Sequence, residues 1–205
     1  MKCCDKCRPL NSARMFKNRA PILGRETVRA LLREKRGCKI IESGAGCLRN
    51  SLFLLKAGFD VSVLEVAGMD ARFPDNYAEF RKRGGTLLTK IGGKNRFRLA
   101  VATFVIETIC DRTLRNRIIR CLCRSLDSSG CLIISVRGPS DLVTALQKGK
   151  RCSDGYLTPG YSFARSYTCK QLRRLLVRSG FRKVQFLHRK EIGSPELVHA
   201  LAWRR

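Results

Sequence analysis

Ile40-Ile41-Glu42-Ser43-Gly44-Ala45-Gly46-Cys47-Leu48-Arg49-Asn50 is the stretch that decides the fold. An apolar run ends in an acid, small residues follow, and a helical pattern starts at once. Lys39-Ile40-Ile41 reads as a short buried strand and Gly44-Ala45-Gly46 as a tight turn. Asn50 to Lys56 reads as a helix closed by Gly58, and Asp60-Val61-Ser62-Val63-Leu64-Glu65 as a second strand. A strand, helix, strand unit of about 30 residues implies parallel strands. Glycine lets a backbone approach a ligand closely, and the start of a helix offers unpaired amides. Glu65 closes the second strand, where a carboxylate can take both hydroxyls of a ribose.

Working outward, the alternation continues in both directions. Residues 25–36 predict a helix with Val28, Leu31 and Leu32 on one face and Gly37 as its stop. Residues 76–83 predict another, ending at Gly84-Gly85. Thr86-Leu87-Leu88 is a third strand, and Leu99 to Val105 a fourth, apolar enough to be buried on both faces. Leu114, Ile118, Leu122 and Leu126 mark a helix that Asp111 caps and Ser128-Ser129-Gly130 stops. Cys131 to Val136 is a fifth strand. Residues 137–166 are rich in Gly and Pro, and so long a loop is functional or mobile. Thr168 and Gln171 form a capping box before a helix carrying Leu172, Leu175 and Leu176. Val184 to Leu187 and Leu197 to Trp203 are the last two strands, joined through Gly193-Ser194-Pro195. The expectation is one doubly wound α/β domain over residues 25–205. Its sheet is mostly parallel, with an antiparallel strand near the C-terminus. A basic, cysteine-containing extension over residues 1–24 precedes it.

Lys and Arg number 42 against 16 Asp and Glu, a formal net charge of +26. Such a surplus speeds encounter with polyanions and holds them near the surface, so RNA or DNA is the expected partner. Hydrophobic residues make up 44 %, enough to fill a core and to exclude a disordered chain. No run of about 18 apolar residues occurs, so no membrane association is expected. The 11 cysteines are odd in number, and several, such as Cys131, sit in apolar runs as small hydrophobes. With no apolar stretch at residues 1–8 to serve as a secretory signal, a reducing cytoplasmic setting is expected.

The constellation resembles the class I S-adenosylmethionine-dependent methyltransferases over about residues 37–187. Their first motif runs acid-x-Gly-x-Gly-x-Gly, which Glu42, Gly44 and Gly46 match; Glu65 matches the acid after the second strand. Phe97 to Glu107 looks like the family's fourth-strand segment, and Leu126 to Ser135 like its glycine turn and fifth strand. The resemblance implies a Rossmann-like methyltransferase fold, methyl transfer as the activity and S-adenosylmethionine as the cofactor. It implies that Gly44, Ala45 and Gly46 line the methionine part, that Glu65 holds the ribose, that Thr103, Phe104 and Val105 flank the methyl group, and that Glu42 and Asn50 are further cofactor-binding residues. Leu48 stands where the motif has its third glycine, and Arg98 where an acid is usual before the fourth strand. No Asn-Pro-Pro-aromatic or Asp-Pro-Pro-aromatic run follows that strand, against amino methylation of adenine in DNA. No Pro-Cys pair lies there either, against a cysteine nucleophile. A nicotinamide dehydrogenase is the rival for the glycine turn, but Arg49 stands where it would need a glycine. The other alternative is a decayed methyltransferase fold that binds nucleic acid without catalysis.

Arg137, Ser140 and Asp141 follow the fifth strand, where open α/β sheets bind ligands, and are candidate substrate contacts or turn caps. Asp154, Tyr156 and Tyr161 belong to a loop expected near the same rim, with Tyr156 a further substrate candidate. Cys4-x-x-Cys7, beside Cys3, has knuckle spacing, but no second close pair completes a four-ligand zinc site, so no metal is expected. His188 and His199 are read as structural histidines. Arg115, Arg117, Arg120 and Arg124 stud one helix and Arg173, Arg174 and Arg178 another, as polar faces that would form a phosphate track only if they share a surface.

Overall fold

The computed structural model describes residues 21–91, 96–142, 149–158, 162–187 and 197–205. Among these, ten strands and six α-helices occur in the order β1 (Lys39–Ser43), β2 (Asp60–Leu64), β3 (Thr86–Leu88), β4 (Phe97–Thr103), β5 (Leu126–Arg137), β6 (Lys150–Cys152), β7 (Gly155–Leu157), β8 (Phe163–Ala164), β9 (Lys183–Phe186) and β10 (Leu197–Trp203). The helices are α1 (Glu26–Glu34), α2 (Arg49–Lys56), α3 (Met69–Arg72), α4 (Pro74–Lys82), α5 (Arg112–Ser125) and α6 (Cys169–Arg178).

Seven strands form the main sheet in the order β3-β2-β1-β4-β5-β10-β9. β1 pairs in parallel with β2 and β4, β2 with β3, and β4 with β5. β10 is antiparallel to both β5 and β9, the antiparallel C-terminal strand expected from sequence. The order reverses between β1 and β4, and open α/β sheets bind ligands beyond the carboxyl ends of the strands at such a reversal. β1 and β4 are buried along nearly their whole length, because helices cover both faces.

Two apolar clusters make those layers. One holds Val28 and Leu32 of α1, Leu54 of α2 and Tyr77 and Phe80 of α4 against Ile40, Val61 and Val101. The other holds Ile119 and Leu122 of α5 and Leu172 and Leu176 of α6 against Ile41, Ala100 and Ile134. Ile22 and Leu23, inside the stretch expected to be an extension, are fully buried in the first cluster. They are adjacent aliphatics at the end of a basic segment, and Pro21–Gly24 folds as a single 3-10 turn. Cys131 is fully buried, and burial pushes its thiol up to about 12, so it packs as a small hydrophobe.

The expected caps are present. The Asp111 side chain accepts from the backbone N–H of Thr113 and Leu114, and Thr168 with Gln171 closes the capping box of α6. Ser128-Ser129-Gly130 does not stop the helix, contrary to expectation. α5 ends at Ser125, and Leu126 is already extended, fully buried and paired with Phe97. Asp127 Oδ1 accepts from Ser129 N–H at 3.0 Å, a local turn that accompanies the register shift before Leu99 meets Cys131. The long loop holds structure of its own: β6, β7 and β8 form a small antiparallel sheet. The expected Gly193-Ser194-Pro195 connection, Cys3, Cys4, Cys7, Tyr161 and His188 lie outside the described residues.

Candidate cofactor site

The turn after β1 is shaped by backbone that most side chains resist. Gly44 has φ +68, and a Cβ there would lie 2.6 Å from Val105 Cγ2, so the β1 turn and the tip of β4 touch only because position 44 is glycine. Gly44 N–H donates to Leu64 O at 2.9 Å, which ties the turn to the end of β2. Gly46 is left-handed at φ 56. So is Leu48, at φ 62, as the residue that caps the start of α2. Leu48 thus keeps a glycine-like backbone while its side chain is fully buried in the core. Phe104, one residue beyond β4, is left-handed as well at φ 58, with its N–H donating to Ser135 O at 2.9 Å. Strained non-glycine residues of this kind concentrate at functional sites.

Two carboxylates organise the edge, in different ways. Glu42 is 1 % exposed. Its Oε1 accepts from Asn50 Nδ2 at 2.8 Å and its Oε2 from the Ser51 hydroxyl. Asn50 Nδ2 also donates to Thr103 Oγ1 at 3.0 Å. Glu42 therefore locks β1, the start of α2 and the tip of β4 together; it is a positioning residue. Burial pushes its carboxyl up to about 7, against the opposing hydrogen bonds from Ser51 and Asn50.

Glu65 stands one residue past β2 and is half-buried. Gly46 N–H donates to its Oε2 at 2.7 Å and Val66 N–H to its Oε1 at 2.8 Å. Burial raises its carboxyl, and those two backbone donors oppose the rise. Each oxygen accepts one bond and keeps further lone-pair capacity, enough for two ribose hydroxyls. The carboxylate is thus fixed in orientation while its acceptor capacity remains, which fits the group the sequence resemblance implies.

Sequence reading missed three supporting residues. Ser51 joins the Glu42 lock. Asn76 Nδ2 donates to Cys47 O at 2.6 Å and Tyr77 OH to Gly46 O at 3.1 Å, so α4 braces the turn from the side. Only the polar pair beginning α2 could have signalled Ser51; Asn76 and Tyr77 act across 29 and 31 residues with no local signature.

Arg98 lies at the opposite end of β4, exposed, paired with Asp127 at 3.1 Å and donating to Ser129 Oγ at 2.5 Å. Five residues of strand, roughly 16 Å, separate it from Thr103. The substrate candidates Arg137, Ser140 and Asp141 lie at and just after the end of β5, and Tyr156 on β7. Arg137 is half-buried, its carbonyl accepting from Tyr167 N–H at 2.9 Å. Ser140 is exposed, and it and Asp141 sit in the 3-10 helix Pro139–Leu142. Tyr156 is half-buried on β7, in the small sheet. That sheet is docked on the segment after β4. Arg165 N–H donates to Glu107 O at 3.0 Å, and Arg115, 1 % exposed, donates to Asp154 Oδ2 at 2.5 Å. Arg165 also pairs with Asp154. The Cys110 and Cys152 sulfurs are 3.7 Å apart across the same junction. His199 is a core residue: Nδ1 meets Ser135 Oγ at 2.7 Å, and burial with Arg25 nearby lowers its pKa to about 4. Among the described residues no cluster of His, Cys, Asp and Glu could hold a metal ion.

No protein-family model and no curated protein matches the chain by sequence. Solved structures do match by shape. The chain is similar to a 1,6-didemethyltoxoflavin-N1-methyltransferase of Burkholderia thailandensis, solved with 1,6-didemethyltoxoflavin and S-adenosylhomocysteine: TM-score 0.68, 17 % identity, 94 % of this chain and 82 % of that one. A SAM-dependent methyltransferase of Methanosarcina mazei gives TM-score 0.67 at 18 % identity, over 85 % of this chain and 96 % of that one. The glycopeptide N-methyltransferase MtfA, solved with S-adenosylmethionine, gives 0.62 at 20 %, over 86 % and 85 %.

The chain has the class I methyltransferase fold.

Within the methyltransferase fold, the glycine turn, Glu65 and the tip of β4 all stand at the carboxyl edge of the parallel strands, around the reversal between β1 and β4. Among the described residues no helix is long and apolar enough to cross a membrane.

Proposed function

We propose that the chain transfers a methyl group from S-adenosylmethionine to an acceptor held at the carboxyl edge of its sheet. The observation that carries this reading is Glu65, held at the tip of β2 by Gly46 N–H with acceptor capacity to spare. When bound, the sulfonium cofactor supplies an electrophilic methyl group and leaves as S-adenosylhomocysteine. Glu65 would accept from the ribose hydroxyls. Gly44, Ala45 and Gly46 let backbone lie close to the methionine part. The Glu42–Asn50–Thr103 chain of hydrogen bonds fixes the turn against β4, with Phe104 and Val105 next to the methyl position. Arg137, Ser140, Asp141 and Tyr156 stand on the acceptor side. No general acid or base is assigned; aligning two reactants is itself a large catalytic effect.

The acceptor we favour is nucleic acid, on the strength of the +26 charge. The similar structures act on unlike acceptors, 1,6-didemethyltoxoflavin and a glycopeptide, so fold does not choose one. The two departures that suggest a decayed fold carry little weight: Leu48 keeps the glycine-like backbone, and Arg98 lies at the far end of β4.

The test is calorimetric titration of the wild-type protein and Glu65→Ala with S-adenosylhomocysteine. Hydrogen bonds to a charged group contribute about 1.5–3 kcal/mol each, so affinity should fall at least about tenfold. Equal affinity in the two proteins would remove Glu65 from the site.

A further inference from the structure

α5 leads from β4 into β5, and α6 leads into β9, which runs parallel to β5 because both are antiparallel to β10. Both helices therefore start at the carboxyl edge and run the same way down one face of the sheet. They are neighbours: both contribute to one apolar cluster, and a Cβ on Gly180, just after α6, would lie 3.2 Å from Cys123 Sγ of α5.

Their outward surfaces are of one sign. On α5, Arg117, Arg120 and Arg124 are exposed at a spacing that puts them on one stripe. On α6, Lys170, Arg174 and Arg178 are exposed at four-residue spacing. Neither helix contains an Asp or Glu. Three helices of the opposite face differ: in α1, α3 and α4, Glu26, Glu34, Asp70, Asp75 and Glu79 are interleaved among the cations, and Asp70 forms an ion pair with Arg81; α2 also lacks an acid but exposes a single cation, Lys56. Like charges four apart weaken a helix, so helix stability does not account for the composition of α5 and α6.

We propose that the α5/α6 face is a docking surface for the phosphate backbone of double-stranded nucleic acid. The surface stands on charge and placement alone; its use in bringing an acceptor to the carboxyl edge rests on the methyl-transfer reading above. The guanidinium fork suits phosphate oxygens. α5 and α6 contain no Phe, Tyr or Trp on which unpaired bases could stack, which selects a duplex over a single strand. The exposed large aliphatics here are Leu114 and Val177, near opposite ends of the helix pair, too little apolar surface to embed in a membrane. α5 is about 21 Å long at 1.5 Å per residue, matching about six base pairs of duplex at 3.4 Å each.

The experiment is fluorescence anisotropy with short duplex DNA and duplex RNA over a range of salt concentrations, on three proteins. One is wild type. The second carries Gln at Arg117, Arg120, Arg124, Lys170, Arg174 and Arg178. The third carries Gln at six exposed cations of the opposite side, Arg29, Arg33, Arg36, Lys56, Arg81 and Lys82. The second should lose about a hundredfold or more in affinity and show a shallower salt dependence; the third should lose less than about tenfold. Whichever duplex binds more tightly identifies the partner. Equal losses in the two variants would overturn the surface, and so would absence of duplex binding by wild type at low salt. Binding to anionic lipid vesicles that exceeds duplex binding, and is lost in the second variant, would overturn the choice of nucleic acid. S-Adenosylhomocysteine is titrated into all three proteins. Unchanged affinity shows that the six changes leave the fold and cofactor site intact. Duplex binding without cofactor binding would keep the surface and remove the methyl-transfer reading.

Discussion

At Leu48 the backbone and the side chain pull in opposite directions. A left-handed leucine costs about 1–2 kcal/mol relative to the right-handed region, whereas burying its side chain contributes about 1.5–3 kcal/mol. Burial wins, and the turn keeps its shape without the glycine. Glu42 presents the same kind of conflict in charge. Its folded pKa of about 7 lies above the ordinary 4.5, so the folded state binds more protons than the unfolded state between those values. The stabilisation is complete below pH about 4.5 and is lost as pH rises through about 7. His199 works the other way: with a folded pKa of about 4 against 6.5, its contribution is present above pH 6.5 and is lost as pH falls through about 4. The two oppose each other in the intact protein. Glu42→Gln should expose the imbalance, with stability at pH 8 raised or unchanged, and with stability falling more steeply than in wild type as pH drops from 7 to 4.5. Urea melts across that range measure it, and identical profiles would contradict the assigned protonation of Glu42. Gly44, Gly46 and Glu65 were legible in the sequence because turn and strand end are local features. The bond from Asn50 to Thr103 spans 53 residues and was not, although each residue was singled out.

Among the elements, the small β6-β7-β8 sheet is the part that sequence left as loop. Its strands have two or three residues, too short for a period to show. What orders them is long-range: the Asp154 carboxylate pairs with Arg115 and Arg165, and Arg115 lies over the ring of Phe163 at 5.6 Å. The main-sheet elements were legible for the opposite reason. Buried strands are continuous apolar runs, and α5 and α6 carry their caps in the sequence. The end of α5 was misplaced because Ser128-Ser129-Gly130 resembles a stop signal, while Leu126 is drawn into the sheet by pairing with Phe97. Removing the Asp154 carboxylate takes a charged partner from the nearly fully buried Arg115. Asp154→Ala should lower stability by about 1–3 kcal/mol, discounted from the fully buried case because Asp154 is 31 % exposed. Hydrogen exchange should speed up across residues 149–158 and 162–167 while β1 to β5 stay protected. Uniform exchange across the whole chain would contradict a separately docked sheet.

For the whole molecule, two properties separate cleanly. The arrangement of strands and the reversal at β1 and β4 gather Gly44, Glu65 and the tip of β4 at one edge. The surplus charge has no part in placing that edge; its densest acid-free portion is on α5 and α6. Composition alone revealed the surplus, but the segregation of α5 and α6 from the mixed-charge helices appears only once the sheet assigns each helix to a side. The central claim is that the edge binds a methyl donor. Calorimetric titration of the intact protein with S-adenosylmethionine and S-adenosylhomocysteine tests it most directly. The account predicts one site per chain with micromolar affinity for both ligands. No heat from either, in protein shown by circular dichroism to be folded, would contradict it.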